Sequence, residues 1–233
     1  MESRAEPAAD SDVPLSKEGV LRAAVELADA RGLAALSMRN LARAMGVGAM
    51  SLYYYVANKS DLLDGIVDLV VGEIDPPPAG GDWREAIRHT ARSAHRVLLR
   101  HPWAAGLMLS SPSVRPARLR YMESLLGTLR AAGFSAELTY RAYHVLDSYV
   151  VGFTLWQVTM DLPADTADLA ALGADFLREL PTAQFPFVAE HVQQHLRPTA
   201  PEAGSDFAFG LDLILDGLER LRSPASPDGP GQH

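Results

Sequence analysis

The residues best suited to binding chemistry lie close together in the first quarter of the sequence. Three consecutive tyrosines occupy positions 53–55, and at about 100° per residue on a helix they spread over about 200°. They cannot all point into one core, so at least one is expected on the surface. An exposed tyrosine can contact a thymine methyl group or hydrogen-bond a phosphate. Met50, Ser51, Lys59 and Arg39 lie nearby in the sequence and suit contacts to base edges and phosphates.

Charge is distributed in a way that fits an anionic partner at this end only. The whole chain has a net charge of −8, whereas residues 16–60 carry +3 and include both lysines. A small basic segment on an acidic protein is typical of localised nucleic-acid binding. The alternative is a surface aromatic cluster beside an ordinary corner between helices.

Other residues of the chain give weaker evidence for a function, or none. The chain has no cysteine, which excludes disulfides, thiol nucleophiles and thiolate metal sites. Nothing resembles a nucleophile elbow, a phosphate-binding glycine loop or a catalytic carboxylate pair, so an enzyme is not expected. His191 and His195 are spaced i, i+4, but the segment HVQQH lacks the glutamate of the zinc-protease pattern, and whether they bind anything stays open.

An arginine recurs every four residues from Arg84 to Arg100. This ladder drifts about 40° per step on a 3.6-residue helix, so its two ends face almost opposite directions. It predicts a solvated, partly salt-bridged face rather than a nucleic-acid stripe.

The elements that must position the tyrosines are short helices with clear start and stop residues. Ser16 and Ser37 are suitable N-caps for helices over 17–31 and 38–45, and Gly32 and Gly46 suit their ends. A third short helix is predicted over 49–55, and Asn58 with Asp61 forms a capping box for a fourth that fades near Ile74. Two short helices around Gly46–Gly48 indicate a helix-turn-helix.

The rest of the chain is also predicted to be helical. The segment DPPPAGGD at 75–82 cannot be helical and marks a domain boundary. Helices are predicted over 83–100, where Pro102 stops or kinks the chain, and then over 115–132, 135–160, 187–196 and 205–221, with weak helical pieces in 162–186. Residues 1–14 and 223–233 are predicted to be disordered tails. The polar start is not a secretory signal, and the most apolar stretch, 138–160, carries too many polar groups for a membrane span. A soluble cytoplasmic protein is therefore expected.

Specific segments then point to a family. Residues 15–71, with AALSMRNLARAMGV, SLYYYV and NKSDLL, resemble the DNA-binding domain of TetR-family transcriptional regulators. The pieces WREAIRHTARSAHRVLLRHPW, LRAAGFS and FAFGLDLILDGLERL resemble the C-terminal domain of the tetracycline-repressor branch. The resemblance implies an all-α homodimer. Each chain would have an N-terminal three-helix DNA-binding domain (15–74) and a larger ligand-binding and dimerisation domain (83–222).

By position, the resemblance also assigns contact residues. The residues implied in contact with double-stranded operator DNA are Arg39, Ala49, Met50, Ser51, Tyr53, Tyr54, Tyr55 and Lys59. The subunit interface is expected as a four-helix bundle of 147–160 and 205–221 from each chain, with a stripe of Phe207, Leu211, Ile214, Leu218 and Leu221 on the last helix. Gly210 and Gly217 each cost about 1 kcal/mol within that helix, which a close helix crossing would offset.

The ligand domain departs from the tetracycline-repressor pattern. The resemblance places Met108 and Trp156 where that repressor has a metal-binding histidine and a glutamate. Since magnesium prefers hard oxygen ligands, a metal-free, cofactor-free pocket for a mostly apolar small molecule is expected. The candidate lining residues are His95, Trp103, Met108, Leu125, His144, Tyr149, Phe153, Trp156 and Gln157. A repressor released by such an effector is the favoured function. The alternatives are an activator of the same fold and a DNA-independent helical interaction protein.

Overall fold

The computed structural model describes residues 15–110, 114–160, 166–195 and 205–222. The expected tails at 1–14 and 223–233 lie outside the described residues. The described parts are all helical, as expected, and contain no strand. They form α1 (Lys17–Arg31), a 3-10 turn (Leu33–Ala35), α2 (Met38–Ala44), α3 (Ala49–Leu52), α4 (Lys59–Val71), α5 (Trp83–Arg100), α6 (Pro102–Ser110), α7 (Pro116–Ala131), α8 (Ala136–Met160), α9 (Thr166–Glu179), α10 (Pro186–His195) and α11 (Asp206–Arg222). No helix in these ranges is long and apolar enough to cross a membrane.

The predicted N-caps Ser16 and Ser37 are confirmed, whereas some helix ends differ: α2 ends at Ala44 and α4 ends at Val71 rather than near Ile74. The Ser16 hydroxyl accepts the Gly19 N–H at 3.0 Å, and the Ser37 hydroxyl accepts the Asn40 N–H at 3.2 Å. Gly32 has φ 73° after α1, a left-handed conformation that L side chains adopt at a cost. Local capping chemistry therefore fixes the ends of α1 and the start of α2.

The fourth helix begins with a capping box that differs from the expected one in a single bond. The Asn58 side chain accepts the Asp61 N–H at 2.9 Å, as predicted, but the Asp61 carboxylate accepts from the N–H of Ala57, also at 2.9 Å. This bond and the guanidinium of Arg115 hold the pKa of Asp61 below its usual value, against the opposing effect of partial burial. The Asp61 charge therefore stabilises both the turn and the start of α4.

The four N-terminal helices enclose a small apolar core, and we call this part the head. Its fully buried side chains include Val20, Leu36, Leu41, Leu52, Leu62 and Ile66. The C-terminal half of α4, with Val67, Val70 and Val71, belongs instead to the core of the C-terminal domain. The fourth helix therefore contributes side chains to both cores. The segment 75–82, where a domain boundary is predicted, follows the end of this helix.

The C-terminal domain is organised around α8, which packs against α5, α6, α7 and α11. Two elements differ from the sequence expectation. Pro102 does not merely end α5 but is the first residue of a separate helix, α6, a position where the missing N–H costs nothing. The weak helical pieces expected in 162–186 include one continuous helix, α9.

Candidate functional site

The most exposed apolar side chains of the head lie on and just after α3. Tyr54 is 93% exposed, Met50 79% and Tyr53 47%, and Ser51 beside them is also exposed. The third helix is shorter than predicted, since Tyr53–Tyr55 follow it as a turn. Large apolar side chains exposed side by side mark a contact surface rather than a core.

Two exposed cations lie on the helices that precede and follow α3 in the chain. Arg39 is in the first turn of α2 and Lys59 is at the start of α4. Among the residues that the structure describes, neither forms an ion pair. Both charges are therefore available to phosphates.

The remaining two candidate DNA contacts are less accessible. Ala49 and Tyr55 are half-buried and pack against the apolar core of the head. The prediction that not all three tyrosines share the core is confirmed, with Tyr55 as the inward one. We name Met50, Ser51, Tyr53 and Tyr54, with Arg39 and Lys59, the recognition surface.

The head and the C-terminal domain meet through a shared carboxylate. The Asp29 side chain of α1 accepts the indole N–H of Trp103 at 2.7 Å, and the Nδ1 of His101 lies 2.9 and 3.0 Å from its two oxygens. His101 is buried. Trp103, a predicted pocket residue, therefore lies where the head contacts the C-terminal domain, with its polar edge bound to Asp29, and its role in ligand binding stays a prediction.

Three further contacts tie the end of the head to the same domain. Arg100 donates to Glu73 at 2.6 Å, and Arg115 pairs with Asp61. The Asp68 carboxylate of α4 accepts the N–H groups of Ala117 and Arg118 at 2.9 and 3.0 Å. A carboxylate at these orphan donors caps α7 and complements its dipole.

Several predicted pocket residues form an aromatic cluster between α5, α8 and α11. The His95 ring stacks on Phe207 with centroids 4.1 Å apart and planes 4° apart, and Phe153 meets both rings edge-on. Tyr149 and Trp156 lie 5.6 and 5.8 Å from the Phe153 ring. The sequence prediction thus brings four of its nine pocket residues together.

The hydrogen bonds of this cluster determine which ring nitrogen of His95 carries the proton. The Thr154 hydroxyl donates to the carbonyl of Val150 at 2.7 Å, so its oxygen accepts from His95 Nδ1, also at 2.7 Å. This places the proton on Nδ1 and leaves Nε2 as an acceptor. Burial lowers the pKa of His95 below its ordinary value, which favours the neutral ring at pH 7.

The other predicted pocket residues lie elsewhere. Met108 and Leu125 are buried in the core of the domain, and Gln157 is exposed next to Trp156. The His144 side chain is exposed and its Nδ1 lies 2.8 Å from the carbonyl of Tyr140, on its own helix. These four residues do not join the aromatic cluster, because the faces that α6, α7 and α8 turn inward are set by packing and cannot be read from residue type.

Two cavities on the C-terminal domain meet at Ser124 of α7. A groove of about 700 Å³ is lined by the 77–83 segment, α5, α7 and Arg222, within the usual range for small-molecule sites. A smaller cleft of about 190 Å³ lies between the end of α4 and α7, lined by Ile74, Pro76 and Tyr121 among others. A ligand in the smaller cleft would touch α4 directly.

Sequence reasoning missed a buried carboxyl group that interacts electrostatically with Tyr121, a residue lining the smaller cleft. Oxygen Oδ1 of Asp147 on α8 is buried and has no hydrogen bond to any described residue, and burial raises the pKa of this carboxyl despite the opposing charge of Arg118. Burial and the Asp147 charge raise the pKa of Tyr143 to about 12. The sequence feature that could have indicated this buried carboxyl group is the presence of an aspartate within the apolar predicted helix 135–160.

The expected interface stripe on the last helix is partly wrong. Phe207, Leu211 and Leu218 are buried within their own subunit, and Ile214 is half-buried against the same core. The large apolar residues that α11 exposes are Phe209 (67%), Leu213 (58%) and Leu221 (64%). Only Leu221 of the predicted five lies on that outer stripe, which is rotated away from the predicted one.

The arginine ladder of α5 is a paired surface, as expected. Arg84 pairs with Asp216, Arg88 with Asp212 and Glu85, Arg96 with Asp75, and Arg100 with Glu73.

The resemblance to the tetracycline repressor suggests a magnesium site, but the residues at the corresponding positions are not magnesium ligands. Met108 offers a buried thioether, which is a poor magnesium ligand. Within the described ranges, no group of three or more histidine and carboxylate side chains could hold a metal ion. His191 is exposed, whereas the side chain of His195 lies outside what the structure describes.

Comparisons with known proteins match both parts of the chain. Residues 20–66 match the model of bacterial regulatory proteins of the tetR family, and residues 75–222 match the tetracyclin repressor-like C-terminal domain. The HTH-type transcriptional repressor DrrR1 of Streptomyces coeruleorubidus is 35% identical over 217 residues, covering 89% of this chain and 78% of that protein.

Solved structures give the same result. Apo ActR from Streptomyces coelicolor superposes with a TM-score of 0.75 at 30% identity, over 92% of this chain and 99% of ActR. ActR in complex with actinorhodin gives 0.73 at 30% identity, over 91% and 100% of the two chains. The proteins of this family regulate transcription and are not enzymes. With both of its domains matched, the chain belongs to the TetR family of bacterial transcriptional regulators.

Proposed function

We propose that this protein is a repressor that binds a palindromic operator as a homodimer and is released by a small, mostly apolar effector without a metal. The observation that carries the proposal is the recognition surface, where Tyr53, Tyr54 and Met50 are exposed and the exposed cations Arg39 and Lys59 form no ion pair with any described residue. On an otherwise acidic protein, a segment that combines positive charge with exposed aromatic side chains is suited to binding nucleic acid.

The roles of these residues follow from their chemistry. Tyr53 and Tyr54 can contact thymine methyl groups and hydrogen-bond base edges in a major groove, and Met50 adds apolar contact. Arg39 and Lys59 would bind the backbone phosphates on either side and so fix the register of the head. Base preference would lie with the tyrosines, whereas the cations would supply affinity for any duplex.

The homodimer is supported by outward-facing apolar side chains on α8 and α11. Val145, Trp156 and Met160 are half-exposed along α8. The outer stripe of α11 consists of Phe209, Leu213 and Leu221, with Gly217 at the same four-residue spacing. Two such helices from each chain would form a four-helix bundle, and Gly217 would allow a close crossing. Repression follows, because a dimer on an operator blocks polymerase sterically.

The effector chemistry is argued from the aromatic cluster. His95, Tyr149, Phe153 and Trp156 offer ring faces and a neutral imidazole acceptor, which suit a planar apolar molecule with a hydroxyl group. The actinorhodin complex of ActR shows that a similar domain accepts a small molecule. The poor fit to magnesium supports binding without a metal.

The movement that releases the protein from DNA would be transmitted from the C-terminal domain to the head by α4. Because its C-terminal half lies in the core of the C-terminal domain and Asp68 caps α7, a shift of α7 would move α4 and with it the head. The effector must bind the shifted state more tightly than the DNA-bound state, since equal affinity shifts nothing.

The first experiment selects an operator from a pool of randomised duplexes and measures binding by fluorescence anisotropy at several salt concentrations. Tyr54→Ala should weaken binding to the selected duplex by about 1–3 kcal/mol. Tyr140→Ala removes an exposed tyrosine of the C-terminal domain and should bind like wild type. If no duplex is selected, or if both variants bind alike, the protein is better described as a DNA-independent interaction protein.

The second experiment tests the effector class by calorimetry with actinorhodin and with tetracycline, each with and without magnesium. Metal-independent binding that lowers affinity for the selected duplex is expected for an aromatic ligand. Tight, magnesium-dependent binding of tetracycline would contradict the proposed pocket. A reporter gene placed behind the selected operator separates a repressor from an activator of the same fold.

A further inference from the structure

Among the described residues, the head is joined to the C-terminal domain along one line, and α1 adds hydrogen bonds to that domain away from the line. The line is α4, which enters both cores and carries the Asp61–Arg115 pair and the Asp68 cap of α7. A body held only along one axis can still rotate about that axis. Whatever holds α1 against the C-terminal domain therefore decides whether the head has a fixed orientation.

The hydrogen-bonded contact away from α4 is made by the Asp29 carboxylate, which accepts from His101 and Trp103. Trp103 Nε1 lies 2.7 Å from Asp29 Oδ1, and His101 Nδ1 lies 2.9 Å from the same oxygen. His101 is the residue between α5 and α6, Trp103 is the second residue of α6, and the Trp103 ring packs against both apolar cores. We call these three residues the latch.

The latch has the features of a specific contact rather than of a surface ion pair. The His101 side chain is 11% exposed and that of Asp29 31% exposed, so solvent screens the carboxylate less than in a surface pair. Hydrogen bonds to a charged acceptor are also stronger than neutral ones. Two planar rings converging on one carboxylate allow little rotation of α1 against α6.

We propose that Asp29, His101 and Trp103 fix the rotation of the head about α4 and so determine which half-site spacing a dimer accepts. This inference rests on the proposed function, because spacing has meaning only for two heads on a palindrome. In a family dimer of this kind the half-sites lie about one helical turn, roughly 34–36 Å, apart. One inserted base pair moves a half-site by about 3.4 Å and turns it by roughly a tenth of a helical turn. Heads whose orientation is fixed cannot contact both half-sites after such a change.

The orientation itself can be tested without DNA. Because the chain has no cysteine, Ala34→Cys in the head and Arg92→Cys on α5, both at exposed positions, can be spin-labelled in the full chain diluted with unlabelled chain. A narrow distance distribution is expected for this labelled protein. Adding Asp29→Ala should broaden the distribution at least twofold.

The spacing is then tested with the selected duplex and with duplexes that have one base pair added or removed between the half-sites. The otherwise unsubstituted chain should lose roughly tenfold or more in affinity for either change. Asp29→Ala should lose less than about threefold, because its heads can turn to follow the half-sites. Glu26→Ala is the matched control: it removes an exposed carboxylate one turn earlier on α1 and should keep the steep profile.

The outcomes separate the two proposals. An unchanged distance distribution in Asp29→Ala, or spacing profiles that match in Asp29→Ala and Glu26→Ala, would overturn the latch. Failure to select any palindrome would refute the proposed function, while the distance measurement would still decide whether Asp29 fixes the head. If Asp29→Ala does not fold, Trp103→Phe takes its place, since it keeps a ring between the two cores and removes only the donor.

Discussion

Replacing Gly210 by alanine tests how closely α8 and α11 cross within one subunit. A Cβ atom at position 210 would lie 2.8 Å from Cζ and 2.9 Å from Cε2 of Tyr149, distances that real Cβ atoms do not show. The tyrosine cannot turn aside easily, because its hydroxyl donates to the carbonyl of Phe207 at 2.9 Å and its ring packs on Phe153 and Phe207. The substitution must therefore displace the ring or the helix.

The net effect is a difference between two terms. Alanine is favoured over glycine inside a helix by about 1 kcal/mol, whereas overpacking a core costs typically about 1–3 kcal/mol. Gly210→Ala should therefore lower the free energy of unfolding by roughly 0–2 kcal/mol. Gly127→Ala on α7 is the matched control, since nothing lies within 4 Å of its added Cβ atom, and it should raise that free energy by up to about 1 kcal/mol.

Both variants should be compared with wild type by calorimetry at one protein concentration, because the melting temperature of the proposed homodimer would depend on concentration. For a chain of this size, each kcal/mol corresponds to about 2–4 °C. Adding Tyr149→Ala should remove the clash, so that Gly210→Ala then becomes neutral or stabilising. A Gly210→Ala protein as stable as Gly127→Ala would refute the argument that the crossing excludes a side chain.

Three further predictions follow from other parts of the molecule. Phe209→Asp should shift the protein from dimer to monomer in analytical ultracentrifugation at micromolar concentration, while Leu119→Asp, at an exposed position of α7, should leave the dimer intact. Lys59→Ala should reduce the slope of log affinity against log salt by about one unit for selected and random duplexes alike, and an unchanged slope would remove Lys59 from the phosphate contacts. Because burial raises the pKa of Asp147, its contribution to stability is present at low pH and is lost as pH rises through that raised value. Asp147→Asn should therefore gain stability over wild type from pH 4 to pH 7 in chemical denaturation, and a constant difference would contradict the burial argument.

The parts of this fold that could be predicted from the sequence are those decided by neighbouring residues. Ser16, Ser37 and Asn58 cap the helices they were expected to cap, because each bond joins groups three residues apart. The exposure of at least one of the three tyrosines could be predicted, since three adjacent side chains cannot share one core, but which of them faces inward could not.

The parts that could not be predicted depend on distant partners. The bond between Trp103 and Asp29 joins residues 74 positions apart, and nothing in the local sequence of either one indicates the other. The outer face of α11 was misassigned for the same reason: Phe207 and Phe209 are alike in type, and only the packing of His95 against Phe207 shows which of them faces inward.

The hydrogen bonds and ion pairs described above between the head and the C-terminal domain all run in the same direction, from donors on the C-terminal domain to acceptors on the head. Asp29, Asp61, Asp68 and Glu73 supply the acceptors from the head side, while Trp103, His101, Arg115, Arg100 and the first N–H groups of α7 donate from the other side. The recognition surface presents free cations instead, so the head is basic toward a duplex and acidic toward its own C-terminal domain. For chimeric regulators, which combine the head of one family member with the sensor domain of another, this sets a compatibility rule. A head grafted onto this sensor domain must bring carboxylates at these four positions, or it leaves the donors of this domain, including the buried His101, without their acceptors. Operator choice and sensor choice are exchangeable only within that constraint.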